Sequence, residues 1–276
     1  WMRLQEAGVG LTLIPPEEDG TFDLARFEEA VDENTRLVAL AQVSNSLGTV
    51  LPAREVGRIC REHGSLFLVD GAQSVPHLPV DVGDLGCDFL CFSGHKMLGP
   101  SGTGVLWSRD DLEPLMVGGG MVEDVSVHGY VSRKGYEGLE AGTPNIAGGI
   151  ALGSAADYLQ RVGMEEIRDH EATLSARLLQ GLKEIEGVEV YGLPESRGRA
   201  GIVSFNIRDM NPHQVALMLD EASSIMVRSG HHCCMPLMKH LGLKSGTVRA
   251  SLYLYNTRDE VESFLQAAEE ISRAVR

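Results

Sequence analysis

The chain has 276 residues, 43% of them hydrophobic and 23% charged, which is typical of a globular protein with one large or two modest domains. Its 24 basic and 39 acidic residues give a formal net charge of −15, which argues against nucleic acid or an anionic membrane as the main partner. No apolar run approaches the roughly 18 residues that a membrane-spanning helix needs.

Strand-like and helix-like segments alternate over the first 110 residues. Helices are predicted over 24–31 and from Pro52 onward, and strands over 37–43, 65–69, 88–92 and 104–108. Because this alternation is typical of parallel strands joined by helices, we expect a mostly parallel sheet with helices on its faces. The glycine-rich stretch between 118 and 144 is predicted to be rich in loops.

Beyond residue 148 the pattern becomes helical and then returns to an α/β alternation. Apolar residues recur at spacings of three and four over 167–185, which predicts a helix. Strands are predicted over 202–207, 224–227 and 247–253, with a helix from Pro212 and a last helix that opens on the capping-box pair Thr257 and Glu260. We place a domain boundary near residue 165, so that 1–165 form a larger domain and 166–276 a smaller one.

Five cysteines are present, and their irregular spacing does not indicate a disulfide framework. Cys60, Cys87 and Cys91 lie in apolar patterns and are expected in the core. We therefore expect a reducing, cytoplasmic location.

Two predicted strands end in polar residues followed by glycine. Asp70 ends one strand, and Ser93-Gly-His95-Lys96 ends another, so both are expected at the carboxyl edge of the sheet, where ligands bind in open α/β proteins. A carboxylate and a lysine there suit pyridoxal phosphate, which uses a carboxylate on its ring nitrogen and a lysine Schiff base. Taken singly, Asp70 could be a turn residue and Lys96 a solvated loop charge. The glycines that follow, to Gly104, match neither a P-loop nor a dinucleotide-binding fingerprint.

A second cluster, Arg228-Ser-Gly-His231-His232-Cys233-Cys234, follows a predicted strand. It indicates a loop that presents a thiol beside imidazoles, which favours a reactive thiolate. A zinc site competes with this interpretation, but four consecutive donors cannot easily surround one ion, so no metal site is predicted. Two ordinary loop cysteines are the remaining alternative.

Arg249 interrupts a strand that is otherwise apolar. A buried arginine needs an anion as its partner. Two candidates remain here: a substrate carboxylate held by two guanidinium nitrogens, or a carboxylate of the chain itself.

These segments together resemble the cysteine desulfurases of the SufS type, within the fold-type I pyridoxal-phosphate enzymes of aminotransferase class V. The matching segments run along the chain in the order Val43-Ser-Asn45-Ser-Leu-Gly48, Val69-Asp70-Gly-Ala-Gln73, Ser93-Gly-His95-Lys96, Glu140-Ala-Gly-Thr143-Pro-Asn145, Arg228-Ser-Gly-His-His-Cys233 and Arg249-Ala-Ser-Leu-Tyr-Leu-Tyr-Asn-Thr257. The short loop after Cys233 resembles the SufS branch rather than the IscS branch. The implied fold is an α/β fold-type I large domain with a mostly parallel sheet, incomplete at its N-terminus, plus a smaller C-terminal α/β domain.

The resemblance implies a role for each matched residue. Lys96 would be the Schiff-base lysine and, with His95, would move the α-proton; Cys233 would be the nucleophile that accepts sulfur. The implied cofactor contacts are Asp70 on the pyridine nitrogen, Gln73 on the phenolic oxygen, Ser93 and His95 on the phosphate, and Thr143 on the phosphate of the neighbouring subunit of a homodimer. The substrate carboxylate would bind Asn45 and Arg249, with Arg228 as a helper.

The implied reaction converts L-cysteine to L-alanine and leaves a persulfide on Cys233. A sulfur acceptor of the SufE or SufU type would then take the sulfur for iron–sulfur cluster assembly. Selenocysteine lyase, another class V lyase or aminotransferase, and an inactive truncated scaffold are the alternatives.

The sequence departs from the family in two places. Cys234 stands where the family has a small residue. The family's N-terminal portion, with a Gly-Thr turn for the phosphate and a ring that stacks on the cofactor, has no counterpart here, and we expect a truncated N-terminus.

Overall fold

The first sheet carries the carboxyl edge at which the site was predicted. In the computed structural model, which describes residues 1–275, its strands are β1 (Leu37–Ala41), β2 (Leu66–Asp70), β3 (Phe89–Ser93) and β4 (Gly104–Ser108), hydrogen-bonded in that order. The first three are parallel, as predicted, whereas β4 is antiparallel to β3. Residues 94–103 are fewer than the dozen or so that a parallel crossover requires, so the chain has to return in the opposite direction.

Short helices cover this sheet. They are α2 (Leu24–Ala30), α3 (Ala53–His63) and α4 (Val82–Leu85), whereas the preceding α1 (Met2–Glu6) has no buried residue. In α3 the apolar residues Val56, Ile59 and Cys60 recur at helical spacing and are buried, and the helix ends at Gly64, which adopts a left-handed φ of 69°. A Cβ at Gly57 would lie 2.3 Å from the carbonyl oxygen of Leu85, so glycine allows α3 to pack closely there.

The glycine-rich stretch is not all loop. It contains a β-hairpin of β5 (Val122–Ser126) and β6 (Gly129–Ser132), which the prediction of a loop-rich stretch did not identify. The helices α5 (Ile146–Val162) and α6 (Met164–Glu184) follow it, and α6 covers the helix predicted over 167–185 except for Ile185, which is its extended C-cap.

The second sheet is antiparallel, in the order β7-β8-β10-β9. Its strands are β7 (Val188–Tyr191), β8 (Ile202–Ile207), β9 (Arg228–Gly230) and β10 (Thr247–Ser251), and its helices are α7 (Pro212–Ser223), α8 (Met235–His240) and α9 (Arg258–Ala274). The strand predicted over 224–227 is wrong: Ser224 adopts a left-handed φ of 54° to end α7, and pairing starts only at Arg228. The capping box of Thr257 and Glu260 is confirmed.

Apolar side chains form two main clusters, one between Phe27 and Leu90 and one between Leu174 and Ile271. A third, smaller cluster joins Met97, Leu159, Ile167 and Tyr253. The domain boundary near residue 165 stays a prediction. Of the helices within residues 1–275, none is both long and apolar enough to cross a membrane.

Candidate active site

Two neighbouring parallel strands place Asp70 and Lys96 on one edge of the first sheet. Asp70 is the last residue of β2, pairs in register with Cys91 of β3, and accepts a hydrogen bond from the backbone nitrogen of Ala72 at 2.9 Å. Lys96 lies in the 3-10 turn Gly94–Met97 that follows β3 directly. A Cβ at Gly94 would lie 2.1 Å from Oγ1 of Thr103, so glycine is required where this turn folds back.

The charge environment of Lys96 links it to the other predicted site residues. Its half-buried amine has no hydrogen-bond or ion-pair partner among residues 1–275. Burial is the main cause that lowers the pKa of Lys96, and Asp70 opposes that shift. The positive charges of Arg249 and Arg228 lower the pKa further, and Cys233 raises it. Lys96 therefore shares one electrostatic neighbourhood with an acid, two guanidinium groups and a thiol, and a larger fraction of its amine is neutral.

The turn that carries Asn45 is held against the second sheet. Oγ of Ser204 in β8 donates to the carbonyl oxygen of Ser46 at 2.6 Å, and the buried Arg199 donates to the carbonyl oxygen of Leu47 at 2.9 Å. Because these bonds join residues on opposite sides of residue 165, they bring Asn45 to the strands that carry the two predicted arginines.

Arg249 and Arg228 lie directly opposite each other on β10 and β9. Nη1 of Arg249 donates to the backbone oxygen of Asn45 at 2.8 Å, while its Nε is buried without a partner. No carboxylate oxygen in the described part of the chain lies within 4.0 Å of Arg249; every ion pair found there involves other residues. Burial, and then the charge of Arg228, lower the pKa of Arg249. The internal ion pair is therefore not found among residues 1–275, and the substrate carboxylate stays the prediction for this pair of guanidinium groups.

Cys233 lies on a turn that a buried histidine anchors. Nη2 of Arg228 donates to Sγ of Cys233 at 3.0 Å, and the side chain of Cys233 is exposed. The adjoining His232 is buried, its Nε2 lies 2.7 Å from Oγ1 of Thr247, and its carbonyl oxygen accepts from Nδ2 of Asn45 at 2.6 Å. Burial and the two arginines lower the pKa of His232 to about 4, so its ring is neutral near pH 7.

The other predicted cofactor residues are less tightly placed. Gln73, in the turn after Asp70, and Ser93, the last residue of β3, are half-buried. His95 and Thr143 are exposed, and no hydrogen bond or ion pair among the described residues ties either of them to the group around Lys96. The roles of these four residues stay predictions.

Sequence reasoning missed the contact between His232 and Thr247. The histidine lies within the matched motif, but the threonine is 15 residues away on another strand, and no local pattern marks it. Only the pairing of β9 with β10 brings the two together.

Comparisons with known proteins agree with this geometry. The family described as aminotransferase class-V matches residues 1–264. A protein named "Probable cysteine desulfurase" from Methanothermobacter thermautotrophicus is 49% identical over 99% of this chain and 69% of its own length. Another of that name from Halalkalibacterium halodurans is 45% identical over 98% of this chain and 66% of its own length.

Solved structures give the same result. An apo cysteine desulfurase from Thermococcus onnurineus superposes with a TM-score of 0.95 and 44% identity, over 99% of this chain and 69% of that one. The cysteine desulfurase CsdA from Escherichia coli, in an S-sulfonic acid form, superposes with a TM-score of 0.90 and 30% identity, over 99% of this chain and 67% of that one. The chain thus spans 66% to 69% of the length of these four relatives.

Proposed function

This chain belongs to the aminotransferase class-V family, whose members use pyridoxal phosphate, and from that premise we propose that it removes sulfur from L-cysteine and leaves it on Cys233. The observation that carries the proposal is the convergence, from two sheets, of an amine, an exposed thiol and a pair of arginines that has no carboxylate partner among residues 1–275. These are the groups that would move a proton, bind a carboxylate and accept sulfur.

The residues present fit the cofactor in their chemistry. Lys96 offers an amine that has no partner among the described residues and a lowered pKa, which is what covalent attachment to an aldehyde requires. Asp70, on the neighbouring strand end, would pair with the ring nitrogen, and the predictions for Gln73, Ser93, His95 and Thr143 supply donors for its oxygens. When bound, the cofactor acts as an electron sink for negative charge at the α-carbon of the substrate.

The arginine pair supports recognition of an amino acid through its carboxylate. Arg249 keeps a buried Nε unpaired, and Arg228 lies opposite it in register. A carboxylate there would satisfy the orphan nitrogen and reduce the repulsion between the two guanidinium groups. Asn45, whose backbone oxygen already holds Arg249, completes this binding surface.

Lys96 and Cys233 would then share the chemical work. The amine of Lys96, whose pKa burial lowers, takes a proton from the α-carbon of cysteine. The thiolate of Cys233, beside the guanidinium of Arg228, attacks the substrate sulfur. An S–S bond forms as the C–S bond breaks, and the electron pair of the broken bond goes to the carbon skeleton, which leaves as L-alanine after protonation. Cysteine and one enzyme thiol thus become alanine and one enzyme persulfide.

We further propose the finer features that the SufS resemblance implies. These are a homodimer with shared active sites, a protein acceptor of the SufE or SufU type, and delivery of the sulfur to iron–sulfur cluster assembly. The cytoplasmic location likewise stays a prediction; its support is that all five cysteines are unpaired.

Incubation of the purified chain with pyridoxal phosphate and L-cysteine tests the main proposal. We expect L-alanine, a persulfide mapped to Cys233 by mass spectrometry, and, after borohydride reduction, the cofactor on Lys96. Cys233→Ser should abolish persulfide and alanine but keep the reduced cofactor on Lys96, and Lys96→Ala should lose the cofactor. The matched control Lys239→Ala, in α8, should behave as the unsubstituted chain.

Each alternative predicts a different result. A scaffold protein would retain no cofactor on Lys96. A selenocysteine lyase would turn over selenocysteine and not cysteine, and another class V lyase or aminotransferase would form product without a persulfide on Cys233. Cofactor found on Lys134 or Lys239 would contradict the site itself.

A further inference from the structure

The turn that presents Cys233 has an unusual backbone. His232 and Cys233 both adopt left-handed φ angles, 53° and 61°, although neither is glycine. Two consecutive residues of this kind are rare, because their Cβ atoms crowd the following carbonyl oxygens. Such a turn persists only where the surrounding structure holds it, so the contacts of His232 decide where the thiol points.

Two contacts hold His232. Nε2 of its ring lies 2.7 Å from Oγ1 of Thr247, and its carbonyl oxygen accepts from Nδ2 of Asn45 at 2.6 Å. His232 is 1% exposed and Thr247 is fully buried, so this contact is shielded from bulk water. Asn45 is the predicted ligand of the substrate carboxylate, which would draw its amide toward the substrate. The contact with Thr247 is then the one that does not compete with substrate.

Thr247 itself has a fixed position. It is the first residue of β10 and lies opposite Gly230 of β9. A Cβ at the preceding Gly246 would lie 2.1 Å from the carbonyl oxygen of Gly230, so the two strands approach each other here as closely as their backbones allow. The hydroxyl of Thr247 therefore reaches His232 from a rigid strand.

We propose that Thr247 is a positioning residue for the sulfur-accepting thiol: its buried hydroxyl holds the ring of His232, and thereby the left-handed turn that keeps Sγ of Cys233 beside Arg228. This rests on the proposed role of Cys233. Without the hydroxyl, Nε2 of His232 is buried and unpaired, and the turn relaxes to ordinary backbone angles. Sγ then leaves the guanidinium of Arg228, which donates a hydrogen bond to it and orients it.

The test compares Thr247→Ser, which keeps the hydroxyl, with Thr247→Ala and Thr247→Val, which remove it. Alkylation of Cys233 by iodoacetamide is followed by mass spectrometry, with Cys234 in the same peptide as an internal reference. The alkylation ratio is the rate of alkylation of Cys233 divided by that of Cys234. We expect this ratio to fall about tenfold in the Ala and Val variants and to stay within about twofold in the Ser variant. Thr173→Val, at an exposed hydroxyl that donates to the carbonyl oxygen of Asp169 in its own helix, is the control and should keep the ratio.

A second measurement follows persulfide formation from L-cysteine. In Thr247→Ala we expect kcat to fall with the alkylation ratio while KM for cysteine stays within about twofold, because the arginine pair is intact. A merely structural role would lower thermal stability without changing the ratio in the folded protein. If Val does not fold, the Ala and Ser pair still separates the hydroxyl from the methyl group.

The two proposals fail in different ways. An unchanged alkylation ratio in Thr247→Ala would overturn the positioning role even if persulfide still forms. An alkylation ratio in Thr247→Ser as low as that in Thr247→Ala would overturn it too. A changed ratio in a chain that never forms persulfide would support the positioning role and overturn the proposed function.

Discussion

A buried pair between His77 and Glu171 should contribute strongly to stability. Nδ1 of His77 lies 2.8 Å and 3.0 Å from the two carboxyl oxygens of Glu171, and the residues are 9% and 2% exposed. The ring of Tyr253 packs edge-on against His77 at a centroid distance of 4.7 Å. Because His77 follows β2 and Glu171 lies on α6, the pair joins the two parts of the chain.

We expect His77→Leu to lower the free energy of unfolding by about 3–5 kcal/mol at about pH 8, since it removes the side-chain partner of a buried carboxylate and leaves it the backbone hydrogen bond of Gly201. The loss should depend on pH. Burial raises the pKa of Glu171, and the hydrogen bond and charge of His77 oppose that rise. Without His77 the pKa of Glu171 rises further in the folded state, which then holds a proton that the unfolded state has released.

Folded chains that bind more protons than unfolded ones lose stability as pH rises. The loss of unfolding free energy in His77→Leu, relative to the unsubstituted chain, should therefore be smaller near pH 5 and larger near pH 8. The difference should be about 1.4 kcal/mol for each unit by which the pKa of Glu171 rises further. His77→Gln, whose amide can donate to the carboxylate, should lose less.

Urea unfolding followed by circular dichroism at about pH 5 and pH 8 measures these deficits. His128→Leu, at an exposed residue of the β5–β6 turn, is the matched control and should change stability by no more than about 0.5 kcal/mol. A His77→Leu deficit below about 1 kcal/mol at both pH values, or one equal at the two, would refute this reasoning.

Three further predictions address the site and the fold. Arg249→Lys should raise KM for L-cysteine about tenfold, because a lysine cannot bind a carboxylate through two nitrogens; an unchanged KM in steady-state assays would contradict this. Cys234→Ala should keep most turnover and all persulfide on Cys233 in mass spectra, since it is Sγ of Cys233 that accepts the hydrogen bond from Arg228; persulfide that depends on Cys234 would contradict the assignment. Thr257→Ala should lower the free energy of unfolding by about 1 kcal/mol in urea titrations, by removing the cap of α9; a loss below about 0.3 kcal/mol would speak against the capping box.

Local patterns in the sequence were enough for much of the fold and for the separate parts of the site. Strand β4 was predicted with the bounds that the structure has, and the cap of α9 was predicted from two residues. Both were possible because the spacing of apolar residues along a strand and the capping of a helix depend only on residues close in sequence. Asp70 and Lys96 could be placed on one sheet edge for the same reason: each directly follows a short apolar strand. The strand predicted over 224–227 failed where Ser224 turns the chain, a left-handed conformation that no neighbouring residue signals.

The tertiary structure alone decided which of these parts meet. Nδ2 of Asn45 bonds to His232 across 187 positions of sequence, and Arg249 reaches Asn45 across 204. The sequence left open whether Arg249 meets a carboxylate of the chain or an outside anion, because its neighbours across the strands depend on the order β8-β10-β9. That order places Arg228 rather than an acid opposite it, and Thr247 beside His232. Such contacts close long loops, and their partners are set by the packing of whole sheets rather than by the residues nearest in sequence.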